Sequence, residues 1–126
     1  RQGDGMRQSF EVPWKLSGLN EYTRACRANR YKGAAMKRTN QDIAALSIRA
    51  ARLKPYDGPV RVSITWVEPN MRRDPDNIRF AAKFVLDALV EEGVLPNDTQ
   101  RYVKGISDRF LVNRNNPRII VEIEEV

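Results

Sequence analysis

Within residues 72–100, the stretch RRDPDNIRFAAKFVLDALVEEGVLPNDTQ, four aspartates stand among four basic side chains. Asp74 and Asp76 flank Pro75, Asp87 follows, and Asp98 lies in a short loop further on. Asp-x-Asp with a distant third aspartate is a set of hard oxygen donors. Mg²⁺ takes such donors in octahedral geometry and keeps waters and substrate phosphate oxygens in its shell, with Mn²⁺ able to substitute. Arg72 and Arg73 immediately precede the carboxylates, where guanidinium groups suit a phosphate approaching a bound cation. The chain has no histidine, so a cation-activated water is the economical nucleophile for phosphodiester hydrolysis. In that chemistry Asp74, Asp76 and Asp98 hold the metal, while Arg72, Arg73 or Lys83 hold phosphate or stabilise developing charge.

The same residues admit a plainer reading. Asp-Pro-Asp also fits an N-cap aspartate, a proline at the first helical position and a further acid favoured by the helix dipole, with no chemistry at all. In the helix that would follow, Ile78, Ala82, Val85 and Leu89 form an apolar stripe and Gly93 closes the C-terminus. At about 100° per residue, Asp76, Lys83 and Asp87 fall within about 20° of one another on the opposite face. Asp87 lies about 16 Å along that helix from Asp76, too far to share one metal within a chain, and reads as a structural acceptor. Phe80 and Phe84 sit beside the charged stripe, covering either a partner subunit or a second packing contact.

The elements that must position these groups follow from hydrophobic period. Residues MRQSFEVPW form a short strand that Pro13 keeps near an edge. A polar, basic segment after it reads as a short helix from about Asn20 and a loop around Lys32 and Gly33. A second helix then starts with Thr39 or Asn40 as N-cap, its apolar face carrying Ile43, Leu46, Ala50 and Leu53. Val60, Val62, Ile64 and Trp66 alternate with Arg61, Ser63, Thr65 and Val67, the period of a half-buried strand. Two further strands are predicted over residues 102–106 and 118–124. The order points to an α+β domain, a single mixed or antiparallel sheet of about four strands with two or three helices packed on it.

At 126 residues the chain suits one domain, residues 6–126, with residues 1–5, RQGDG, read as a cloning remnant outside the fold. No apolar run is long enough for a membrane span, so a soluble intracellular protein is expected. One cysteine, Cys26, forms no internal disulfide, and without histidine there is no zinc-type ligand set. No glycine loop of the Walker type occurs, so no nucleotide cofactor is indicated. Residues 1–54 hold 12 Lys/Arg against 4 Asp/Glu, net +8, and residues 55–126 hold 10 against 12, net −2, which together give the chain's +6. With a pI near 9.8, the basic half suits a polyanion, and Arg24, Arg27, Arg30, Lys32, Lys37 and Arg38, with Arg72 and Arg73, are the residues expected to meet DNA phosphates. An ordinary solvated face would carry the same charge.

The segments RRDPDN and KFVLDALVEEGVLPND, and more weakly LNEY at residues 19–22, resemble the RusA-type Holliday junction resolvases, small endodeoxyribonucleases of bacteria and their phages. The similarity runs from about Phe10 to the end, and its central third is the specific part. The resemblance implies a cytoplasmic, prophage-type homodimer that cuts branched DNA, four-way junctions above all, with Mg²⁺ held by Asp74, Asp76 and Asp98 and with Lys83 as the functional lysine. In better-known members that lysine follows the second aspartate by four residues, whereas here Phe80 stands there and Lys83 comes seven after Asp76. Both spacings return to roughly the same helical face, with about 4.5 Å of extra rise. Two readings stand beside a resolvase: a non-catalytic branched-DNA-binding protein, and a Mg²⁺ nuclease for flaps or single strands.

Helix length raises one more expectation. A straight helix over residues 77–92 would hold its ends about 22 Å apart, and the five residues to Asp98 span at most about 17 Å. Closure of the three aspartates within one chain is taut. A symmetric dimer offers a composite site in which Asp98 of one subunit meets Asp74 and Asp76 of the other.

Overall fold

The computed structural model describes residues 6–126, so the reading of residues 1–5 lies outside the described residues. Its strands are β1 (Arg7–Pro13), β2 (Val60–Glu68), β3 (Val103–Val112) and β4 (Arg118–Glu125); its helices are α1 (Leu19–Ala28), α2 (Arg30–Ala51), α3 (Pro75–Arg79) and α4 (Ala82–Glu91). They form the expected α+β arrangement, one open sheet in the order β1-β4-β2-β3. β4 pairs antiparallel with both β1 and β2, and β2 pairs parallel with β3. A parallel pair needs a crossover, and α3 with α4 supplies it. The alternation read from sequence sets the sheet faces. Val60, Val62, Ile64 and Trp66, with Ile119, Val121 and Ile123 of β4 and Phe10 and Val12 of β1, are buried in the core that the helices cover.

The first helical region departs from expectation. No loop interrupts Lys32 and Gly33: α2 runs for 22 residues from an N-cap at Asn29, whose side chain accepts from the Lys32 amide at 2.9 Å. Gly33 is there for proximity rather than for a turn, because a Cβ at that position would come within 2.6 Å of the Cys26 sulfur where α1 crosses α2. Asn40 is no cap either. It is buried mid-helix, its Oδ1 accepting from the Ser17 amide and its Nδ2 donating to the Ser17 hydroxyl and the Met36 carbonyl. The buried face is Ala44, Ala45 and Ile48, and Leu46 is exposed.

The long helix after Asp74 is also divided. Ile78, Ala82, Val85 and Leu89 are buried as predicted, and the chain turns at Gly93 with φ 76°. Between the halves, however, the ladder tightens into i→i−3 bonds from Ala81 to Ile78, Lys83 to Phe80 and Phe84 to Ala81. At this step Phe80 stacks against Tyr22 of α1 and Phe84, with centroids 5.4 and 5.8 Å away. Phe84 is fully buried, worth about 1.5–3 kcal/mol for an aromatic of this size. The two phenylalanines thus form the second packing contact, holding α1 onto the crossover. The uniform 100° step that aligned Asp76 with Lys83 and Asp87 does not hold across this break.

Candidate metal and nucleic-acid site

Beyond β2 the chain turns through Pro69 and Asn70, whose Oδ1 accepts from the Arg72 amide at 3.0 Å. The next residue swings inward. Arg73 donates to Glu68 from Nε at 3.0 Å and from the terminal nitrogen at 2.7 Å, and its other nitrogen reaches the Leu16 carbonyl. Glu68 is 4 % exposed and accepts a third bond from the Trp14 indole at 2.9 Å. A carboxylate so buried requires a partner, so the Arg73 guanidinium, expected to face phosphate, is engaged by Glu68 and anchors the turn. Glu21 also leans on this network. Burial pushes its carboxyl up, but the Gly18 amide, Lys15 and Arg73 outweigh that and leave it below the usual range.

This anchor delivers Asp74. Its backbone has the extended geometry of an N-cap, φ −79° and ψ 155°, and its carbonyl accepts from the Ile78 amide, yet its carboxylate makes no capping bond. Asp76 sits in the first turn, and both carboxylates are exposed and without a hydrogen-bonding or ionic partner among the described residues. The cap reading therefore accounts for the backbone and for Pro75 at N1, and leaves both carboxylates available. Asn77, which sequence reasoning gave no role, is buried, and its Oδ1 accepts from the Asn20 amide at 2.8 Å, capping α1. Gly18 allows that contact, since a Cβ there would fall 2.5 Å from the same oxygen. The local signal was an asparagine beside two aspartates; its target, 57 residues away, was invisible.

Asp98 lies elsewhere. It borders an open cleft with Lys37, Gln41, Asp87, Val90 and Glu91, none of which touches the Asp74 cavity. Among the described residues no three acidic, histidine or cysteine side chains form a group that could hold a metal ion. The reason is topological. Asp74 follows the C-terminal end of β2 and Asp98 precedes the N-terminal end of β3, and the parallel pair between them runs from Val60/Val103 to Glu68/Val112, about 26 Å at ~3.3 Å per residue. Lys83 points its ammonium at Asp87, 3.6 Å away, and Lys37 reaches the same carboxylate at 3.9 Å. Asp87 is thus a structural acceptor, as expected.

The basic residues divide by partner. Arg38 is held by Asp42 and Glu91, and its bond to Glu91, with that from the Gln41 amide, keeps the Glu91 carboxyl below its usual range. Arg24, Arg27, Arg30 and Lys32 are exposed on the protruding α1–α2 corner, where Arg30 donates to the Tyr31 hydroxyl and lies 5.1 Å from its ring centroid. Arg72 is exposed as well. Sequence reasoning missed Arg101, Lys104, Arg109 and Arg114, exposed along and beside β3 with no ion pair among the described residues. They were hidden by the −2 balance of the second half, several of whose acids are occupied by other arginines, as in Glu92 with Arg49 and Asp108 with Arg79. Reversing Arg24, Arg27 and Arg30 to glutamate should weaken binding to every DNA shape. If each of the three arginines neutralises one phosphate, the slope of log affinity against log salt should fall by about 3. Fluorescence anisotropy across a salt series reads both quantities, and an unchanged slope would place the DNA surface on the β3 side.

The model of one family, described as Endodeoxyribonuclease RusA, matches residues 13–124 of the chain. No curated protein matches it. No helix among the described residues is long and apolar enough to cross a membrane.

Proposed function

The chain belongs to the RusA endodeoxyribonuclease family, and from that premise we propose that it is a Mg²⁺-dependent endonuclease that resolves four-way DNA junctions as a homodimer. The observation that carries this reading is the pair Asp74 and Asp76, presented on a rigid turn inside the matched region with neither carboxylate engaged by the protein. Exposed hard-oxygen donors in Asp-x-Asp spacing fit a divalent cation, and Asp98 of a second copy is the third donor. Such a cation would acidify a bound water and draw charge from the phosphoryl oxygens.

The chain's own groups do the rest. The Glu68–Arg73 anchor fixes where Asp74 points, so the carboxylates pay little ordering cost on binding. Arg72, exposed beside them, is placed to hold a phosphate oxygen and to oppose the charge that builds on it. Attack of water on phosphorus breaks the bond to the 3′ oxygen, which leaves with a proton from solvent as a 3′ hydroxyl and a 5′ phosphate. Lys83 is held by Asp87 and remains half exposed. Its role is to attract the backbone towards the cleft, with exchange between Asp87 and phosphate. The α1–α2 corner supplies shape-independent affinity.

The test presents a synthetic four-way junction, a flap and a linear duplex to the protein with Mg²⁺, Mn²⁺, Ca²⁺ or EDTA. Symmetric cuts in the junction are expected with Mg²⁺ and Mn²⁺, and binding without turnover with Ca²⁺, whose coordination is larger and looser. Cutting in EDTA would remove the metal from the mechanism. Preference for the flap would reassign the substrate, and tight junction binding without cleavage under every cation would make the protein a non-catalytic binder.

A further inference from the structure

Tyr31, in the first turn of α2 at the α1–α2 corner, is 70 % exposed, against 37 % for Trp14 and for Phe110. Trp14 is engaged: its indole donates to Glu68 and its ring is flanked by Lys15 and Arg73. Among the described residues the Tyr31 side chain has one polar or ring partner, the Arg30 guanidinium, 3.1 Å from its hydroxyl and 5.1 Å from its ring centroid. Around it Arg24, Arg27, Arg30 and Lys32 are exposed with no ion pair among the described residues, and the first turn of α2 holds no acid. Further along the same helix the pattern reverses, since carboxylates hold both Arg38 and Arg49. A single exposed tyrosine is ordinary. A bare ring among four unneutralised cations has the composition of a nucleic-acid platform, in which positive charge tracks the phosphates and an aromatic face takes a base.

We propose that Tyr31 stacks on a nucleobase at the branch point of the DNA, which makes it a determinant of shape recognition and not of affinity at large. The proposal deepens the nuclease reading above and rests on it for the identity of the polyanion. The arginines of the corner meet phosphate on any duplex. The ring has no such general target. Inside a continuous helix every base face is covered by its neighbours, and a side chain reaches one only by unstacking a step. At a crossover the last pair of each arm has lost a neighbour, so its outer face is open to an aromatic side chain.

The corner is firmly built and tied to the carboxylates. Asn29 caps α2, the helices cross closely at Gly33 and Cys26, and Tyr22 packs α1 onto Phe80 and Phe84. The other end of α1 is fastened beside the turn that bears Asp74 and Asp76, where the Asn20 amide donates to the Asn77 side chain. From Asn20 to Asn29 is about 14 Å along the helix axis, or about four nucleotides at ~3.4 Å each. A strand with its phosphate at Asp74 and Asp76 can therefore reach Tyr31 within about four nucleotides, which ties the cut to the neighbourhood of a branch. Little ordering is left for binding, because Arg30 already holds the ring.

Binding measured in Ca²⁺ with the intact protein tests this apart from cleavage. Tyr31→Ala should weaken binding to a four-way junction by at least about fivefold, the low end of what losing one base–aromatic stack costs, and leave binding to a linear duplex unchanged. Tyr31→Phe should keep the parent's preference for the junction. Both variants should melt with the parent, since the side chain is exposed. Under ultraviolet light, 5-iodouracil placed at the crossover should cross-link to Tyr31, identified by mass spectrometry of the joined peptide, and the same base in the middle of an arm should not. Equal losses on junction and duplex, or no loss on either, overturn the proposal, as does a crossover cross-link that bypasses Tyr31. A protein that shows the selective loss and the cross-link yet cuts nothing in Mg²⁺ sinks the nuclease reading and leaves the stacking site standing.

Discussion

Asp74→Asn and Asp76→Asn should each lower junction cleavage by at least about 10²–10³-fold, the effect seen when one preorganised charge-stabilising group is removed from a reacting centre. Binding should be kept or strengthened. Each substitution deletes a negative charge near phosphate, an interaction of about 1 kcal/mol at 4 Å in water and more where water is partly excluded. Folding should be almost untouched, because the Asp74 carboxylate makes no capping bond in the first place and asparagine is as good an N-cap as aspartate. The separation of these readouts gives the prediction its force. A helix-capping role predicts a change in thermal midpoint and normal cutting, whereas a metal-holding role predicts the reverse. Cleavage rates at saturating protein, junction affinity in Ca²⁺ and the melting midpoint distinguish them. Normal cutting by both variants would return Asp74 and Asp76 to the surface charge of an ordinary helix start.

What could be read in the chain was whatever depends on near neighbours. The alternation of Val60 to Trp66, the stripe from Ile78 to Leu89 and the turn at Gly93 are set within one or two turns of chain, and each is where it was expected. The failures share a cause, a residue whose role is set by something distant. Gly33 resembles a breaker until Cys26 is seen against it, and Asn40 resembles a cap until Ser17 is. Arg73 was grouped with Arg72 because they are adjacent. Nothing local shows that one guanidinium turns into the buried Glu68 and the other stays out. The basic residues around β3 were lost for a different reason, since a net charge sums over a segment and is blind to which acids are already paired.

The separation of Asp98 from Asp74 and Asp76 was, by contrast, foreshadowed by arithmetic on helix length and loop reach, and it leads to the most discriminating experiment. Asp76→Asn and Asp98→Asn chains should each be inactive alone, yet a mixture refolded together should nick junctions. In a heterodimer with composite centres, one centre combines Asp76→Asn with Asp98→Asn and is doubly defective. The other combines an intact Asp74 and Asp76 from one chain with an intact Asp98 from its mate. Random pairing makes half the dimers heterodimers, so about a quarter of all centres should be intact. Because the intact centre has no working counterpart across the two-fold axis, the product should be a single nick and not the paired cuts that separate a junction into two duplexes. If each centre were built within one chain, every centre in the mixture would carry a lesion and no nick would form. Heterodimers purified through two different affinity tags remove any doubt about pairing, and their failure to nick would rule out the shared site.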